Sequence, residues 1–66
     1  MQDYIFHVHH HSRADPDVLE VVVRDDARAE ELARQRLSLS DGHRAVEVWR
    51  QGQLLYRVGL DGSQSA

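Results

Sequence analysis

Four of the chain's five histidines stand within five consecutive positions, as His7, His9, His10 and His11 in "HVHHH". Imidazoles at i and i+2 on a strand point to the same side about 7 Å apart, so both can ligate one Zn²⁺ at about 2.0–2.1 Å. His7 with His9, or His9 with His11, has that spacing. His7 and His11 would lie about 13 Å apart and cannot readily share an ion. A metal site would therefore need a further ligand, from His43, the one remaining histidine, or from Glu47. The pattern also departs from the dinuclear-hydrolase arrangement His-x-His-x-Asp-His, because His11 stands at the Asp position and Ser12 at the last His. The bland alternative, solvated or packing histidines, carries most of the weight. A proton-linked interface is the third use of the same side chains. No cofactor is expected beyond that Zn²⁺ or other transition-metal alternative.

Other reactive constellations are thinner. Ser12, Ser38 and Ser40 lack a nucleophile elbow, and a short chain offers no deep pocket for a triad. Asp25 and Asp26 are explained by capping of a helix. Trp49 on a strand could stack on a base, yet Arg50 and Arg57 beside it are too few for a nucleic-acid groove. Trp and Arg are enriched at protein interfaces, which makes a protein partner the expected use. These residues predict a binding protein rather than an enzyme.

The elements that must hold these residues follow from periodicity. Tyr4 to His10 alternate as a strand, with Tyr4, Phe6, Val8 and His10 on one face and Ile5, His7, His9 and His11 on the other. "SRADPD" is expected to be a loop. A second strand covers Val18 to Arg24, with Leu19, Val21 and Val23 inward. From Asp25 and Asp26 the period becomes helical, Ala29, Leu32, Ala33, Arg36 and Leu37 forming the stripe, and Glu30 sits four residues before Arg34. "SLSDG" ends the helix, with Gly42 expected in the left-handed region. "AVEVWRQGQLLYRVGL" is a hairpin. A two-residue loop at Gln51 and Gly52 would split its apolar set, so a three-residue loop from Arg50 to Gly52 is expected, pairing Val48 with Leu54 and Val46 with Tyr56. Phe6, Val8, Val21, Leu32, Val46, Val48 and Tyr56 are expected to be mostly buried.

The order strand, strand, helix, strand, strand predicts an α+β two-layer sandwich, a mostly antiparallel four-stranded sheet covered by one helix. The domain is expected over 1–60, with 61–66 a disordered polar tail. A chain of 66 residues buries only about 60% of its unfolded surface, and without cysteine it has no disulfide to reinforce it. Association is thus expected. The outer sheet face, with Ile5, Val22, Trp49, Leu55 and Arg57, is the expected interface of a homodimer or of a contact with another protein. A formal net charge of −3 with scattered Arg argues against a nucleic-acid partner. No apolar run approaches a membrane span and no basic, then apolar, leader is visible, so a cytoplasmic location is expected.

The strand "YIFHV", the helix start "DDARAEELA" and the close "VEVWRQGQLLYRV" resemble a family of short uncharacterised bacterial proteins. Its members open on a Tyr-Phe-Phe-His-Val type strand, continue with an Asp-capped Ala- and Glu-rich helix, and end on a Val-Glu-Val strand, a Gly turn and an apolar strand. The resemblance spans about Tyr4 to Val58 and implies the same fold, with no activity attached to it. It places His7 at the motif's histidine, whereas His9, His10 and His11 stand where the pattern turns toward Asp and Gly.

Overall fold

The computed structural model describes residues 1–59. The expected tail at 61–66 lies outside the described residues. Five elements follow in order: β1 (Gln2–His10), β2 (Arg13–Val23), α1 (Asp26–Ser38), β3 (His43–Arg50) and β4 (Gln53–Gly59). The four strands form one sheet in the order β2-β1-β3-β4, every neighbouring pair antiparallel. Because β1 runs against both β2 and β3, those two are parallel to each other, and α1 is the crossover between them, as in a split βαβ unit. The expected two-layer α+β architecture is the one found.

Alternation decides which side of the sheet meets the helix. Tyr4, Phe6, Val8, Val46, Val48 and Val58 are buried toward α1, and Val23 closes the core at one end. Ala29 and Ala33, both at 0% exposure, let the helix axis approach the sheet closely, and Leu37 fills the space beyond them. The Asp25 carboxylate accepts the Arg28 backbone N–H at 2.9 Å, satisfying a donor that the first turn cannot. Glu30 and Arg34 pair at 2.7 Å on the solvent side. The helix lies mainly over β3. Val21, Leu32 and Tyr56, expected to be mostly buried, are only half-buried for that reason, since β2 and β4 lie toward the margins of the layer.

Three local expectations are corrected. "SRADPD" is strand rather than loop: β2 begins at Arg13, and His11 and Ser12 alone make the turn. Pro16 is tolerated because β2 is an edge strand and the register with β1 slips between Val8 and His10, so no ladder hydrogen bond from its nitrogen is needed. The β3–β4 turn has two residues, Gln51 and Gly52, both with positive φ (53° and 76°), and Arg50 pairs with Gln53. A bulge then restores the faces: Trp49 pairs with Leu54 but Val48 with Tyr56, so Leu55 is the extra residue. Gly42 does not take a positive φ. The helix instead ends on Leu39 in a right-handed conformation, its N–H bonding to the Arg36 carbonyl.

Candidate functional site

The side of the sheet away from α1 is covered by no element among the described residues, and the register arranges its side chains in rows. Glu20, Ile5, Trp49 and Leu54 form one row across the four strands, and Val18, His7, Glu47 and Arg57 form the next. Val22 stands opposite Asp3 beyond them, and His9 opposite Ala45 on the other side. Rows of this kind bring side chains of different strands within about 5 Å, which sequence distance alone does not reveal.

At the centre stands the Glu47 carboxylate. Its Oε1 accepts the indole N–H of Trp49 at 3.2 Å and lies 3.7 Å from His7 Nδ1, while Oε2 is 3.9 Å from Arg57 Nε. The His9 Nε2 is 3.2 Å from Oε1 but off the hydrogen-bonding line, and this nitrogen is buried without a hydrogen-bond partner. His7 also lies against Trp49, the ring centroids 5.3 Å apart and the planes tilted by 30°. Burial pushes the Glu47 carboxyl upward, yet its contacts with His9 and the Trp49 indole, with the charge of both imidazoles, outweigh that and hold it below the ordinary carboxylate value. A carboxylate so held is ionised at neutral pH and already engaged.

The sequence-predicted residues divide. His7, His9, Glu47, Trp49, Ile5 and Arg57 are brought together on this face and are half-buried there. Val22 is on the sheet's margin and 51% exposed. Leu55, expected on the outer face, is half-buried and packs against the core cluster. The bulge sets Leu54, 41% exposed, opposite Trp49 beside it. His11 leaves the row it was assigned to because the strand ends at His10. It sits exposed in the turn, its backbone N–H bonding to the Gly42 carbonyl. His43 is turned to the helix side, where Nδ1 bonds the Arg36 carbonyl at 2.8 Å, and its ring packs edge-on to His10 at 5.1 Å. Neither His11 nor His43 therefore joins His7 and His9, and among the described residues no three His, Asp or Glu side chains form a group able to hold a metal ion.

Two polar groupings were not read from the sequence. His10 Nε2 lies 2.8 Å from Asp17 Oδ2, and Arg13 donates to Asp17 Oδ1 at 2.9 Å. These contacts, His10 first, lower the Asp17 carboxyl from its ordinary value. Loop-like composition around Pro16 hides this pairing in the sequence, since only a strand at Asp17 brings it to His10. At the opposite end of the sheet, the buried Tyr4 hydroxyl donates to the Asp26 carboxylate, Tyr56 donates to the Asp26 carbonyl at 3.1 Å, and Arg50 lies 3.4 Å from the same carboxylate. An inward-facing Tyr was the available signal, since a buried phenol needs an acceptor. This cluster bolts the helix start to β1, β3 and β4 and leaves no reactive group free.

No helix among the described residues is long and apolar enough to cross a membrane. No family model, curated protein or solved structure matches the chain. The family resemblance therefore rests on the motifs quoted above.

Proposed function

We propose that the protein is a non-enzymatic interaction module that pairs with a second copy of itself through the outer sheet face. One observation carries the reading: this face is uncovered, apolar at Ile5, Trp49, Leu54, Val18 and Val22, and its central charges are engaged with one another around Glu47. Covering a charged face is costly when it strands an ion without a partner. Here Glu47 and Arg57 enter together, and the Trp49 indole N–H already has its acceptor, so a second copy meets little unpaired charge at the centre. A two-fold axis would set the Trp49 rows of the two sheets against each other.

The size of the surface sets the strength. Four strands about 4.8 Å apart and some 20 Å long present roughly 400 Å² per copy, so the pair buries less than the ~1,200 Å² of a standard interface. The expected complex is a reversible dimer that forms at micromolar concentrations or above. Sedimentation equilibrium over a hundredfold concentration range at neutral pH tests it. A mass that rises from one chain to two supports the reading, and a single-chain mass throughout defeats it.

A second reading, transition-metal binding by His9 with Glu47 rather than by a group of three ligands, draws on the buried, unpartnered Nε2 of His9 beside that carboxylate. Zinc added to the protein would then raise its melting temperature, and His9→Ala would abolish that rise while His10→Ala would not. Equal responses from both variants, or no rise in the parent protein, reject it.

A further inference from the structure

The two faces of β2 are not equally served by the helix. Because α1 lies mainly over β3, an open cleft of about 220 Å³ remains between the helix and β2, lined by Phe6, Val21, Leu32, Gln35, Arg36 and Leu39. Its floor is apolar and its helical wall carries Leu39, 69% exposed, next to Arg36. The Arg36 side chain is exposed and makes no ion pair with any described residue, although its backbone carbonyl serves His43 and Leu39. Beside the cleft runs the free edge of β2. Its first half is protected by Pro16 and a slip in register, whereas Val18 to Val23 pair regularly with β1 and have no strand among the described residues on their other side.

We infer that this edge and cleft form a second binding surface, one that takes an extended acidic and apolar peptide segment of another protein as a fifth strand beside β2. Main-chain groups of the segment would pair with Val18 to Val23, the mode in which a sheet edge supplies affinity and adjacent pockets supply selectivity. An apolar side chain on the helix-facing side enters the cleft over Phe6 and Val21, between Leu32 and Leu39. The residue two positions along shares that face, about 7 Å away, within reach of the Arg36 guanidinium. A carboxylate there forms a charge-assisted pair with a cation that has no ion-pair partner among the described residues. This chemistry selects acidic over basic segments and extended over helical ones. It is independent of the outer-face dimer, because the cleft opens on the helix side of the sheet.

The test uses the full chain, isotopically labelled, and two fluorescent eight-residue peptides of alternating Val and Glu or alternating Val and Lys. The Val/Glu peptide is expected to shift amide resonances of Val18 to Val23 and of Leu32 to Leu39, and to bind at least roughly tenfold more tightly than the Val/Lys peptide. Arg36→Glu, an exposed substitution, should reverse that preference, and Leu39→Glu should weaken both. N-methylation of alternate amides in the Val/Glu peptide should abolish binding. No binding of the Val/Glu peptide, shifts confined to the outer face, or equal binding of the methylated peptide overturns the proposal. So does decanoate producing the same shifts and competing at equal concentration, which would make the cleft a site for small amphipathic acids. Shifts at Val18 to Val23 on concentrating Trp49→Glu alone, a protein in which the outer-face dimer is removed, would assign the edge to a second copy and likewise overturn it.

Discussion

Replacing Glu47 by Gln keeps the size of the side chain and its ability to accept the Trp49 indole N–H, while removing the charge held among His7, His9 and Arg57. A hydrogen bond to a charged group contributes about 1.5–3 kcal/mol and a neutral one about 0.5–1.5. The Arg57 pair, at 3.9 Å and partly solvated, adds little after screening. The expected loss at neutral pH is therefore about 1 kcal/mol, or about 4–8 °C in melting temperature for a domain of this size. The pH dependence has a definite sign. Glu47's folded carboxyl is lowered from 4.5, so the folded state binds the proton less tightly than the unfolded chain does. Its stabilisation is present above that ordinary value and is lost as pH falls through the lower folded one. Parent and variant should then converge once the pH has fallen through that lowered value and the folded carboxyl is protonated. Urea unfolding followed by circular dichroism, at matched protein concentration because the proposed dimer would add to apparent stability, measures both gaps. A variant as stable as the parent at pH 7, or a gap undiminished in acid, would refute the assignment of Glu47 as the electrostatic centre of the face.

Asp26→Ala should cost about 1–3 kcal/mol, because it strands the fully buried Tyr4 hydroxyl without its acceptor. Tyr4→Phe should cost less, and the double variant should show coupling in a thermodynamic cycle; simple additivity would deny the bond. Above pH 10 the fold should weaken. Burial and then the Asp26 hydrogen bond raise the Tyr4 phenol, and burial followed by the Glu30 and Asp26 charges raises Tyr56. The folded state thus keeps protons that the unfolded chain releases, and this stabilisation, full below pH 10, is lost as pH rises. Absorbance titration should show both phenols ionising together with unfolding, and their ionisation in a still-folded protein would contradict the packing.

Period and parity carried the architecture. The inward set Tyr4, Phe6 and Val8 and the helical spacing of Ala29, Ala33 and Leu37 were legible because burial on one side imposes them whatever the partner element is. The Asp25 cap was legible for a local reason, since its acceptor lies only three residues away. What escaped depended on pairing between strands. Pro16, which lacks a backbone N–H, signals a break only if the sheet needs a donor at that position, and an edge position next to a slip removes that need. A two-residue turn looked unfavourable because it would split the apolar set, and a single bulge at Leu55 reconciles the turn with the faces. The same bulge moved Leu54 to the outer face, and the end of β1 at His10 took His11 away from it. The shared face of His7, His9, Glu47 and Trp49 was legible because they occupy regular ladder positions where parity survives.

The central claim is that the outer sheet face joins two copies, and sedimentation velocity on the parent protein and Trp49→Glu at neutral pH tests it most directly. Trp49 is the sole tryptophan and stands in the middle row of that face, so the new carboxylate would lie near its counterpart across the axis, beside Glu47. The account predicts a parent boundary that shifts from monomer toward dimer as concentration rises, and a folded Trp49→Glu protein that stays monomeric throughout. A parent protein that remains monomeric at the highest concentration, or a variant that dimerises equally well, would contradict it.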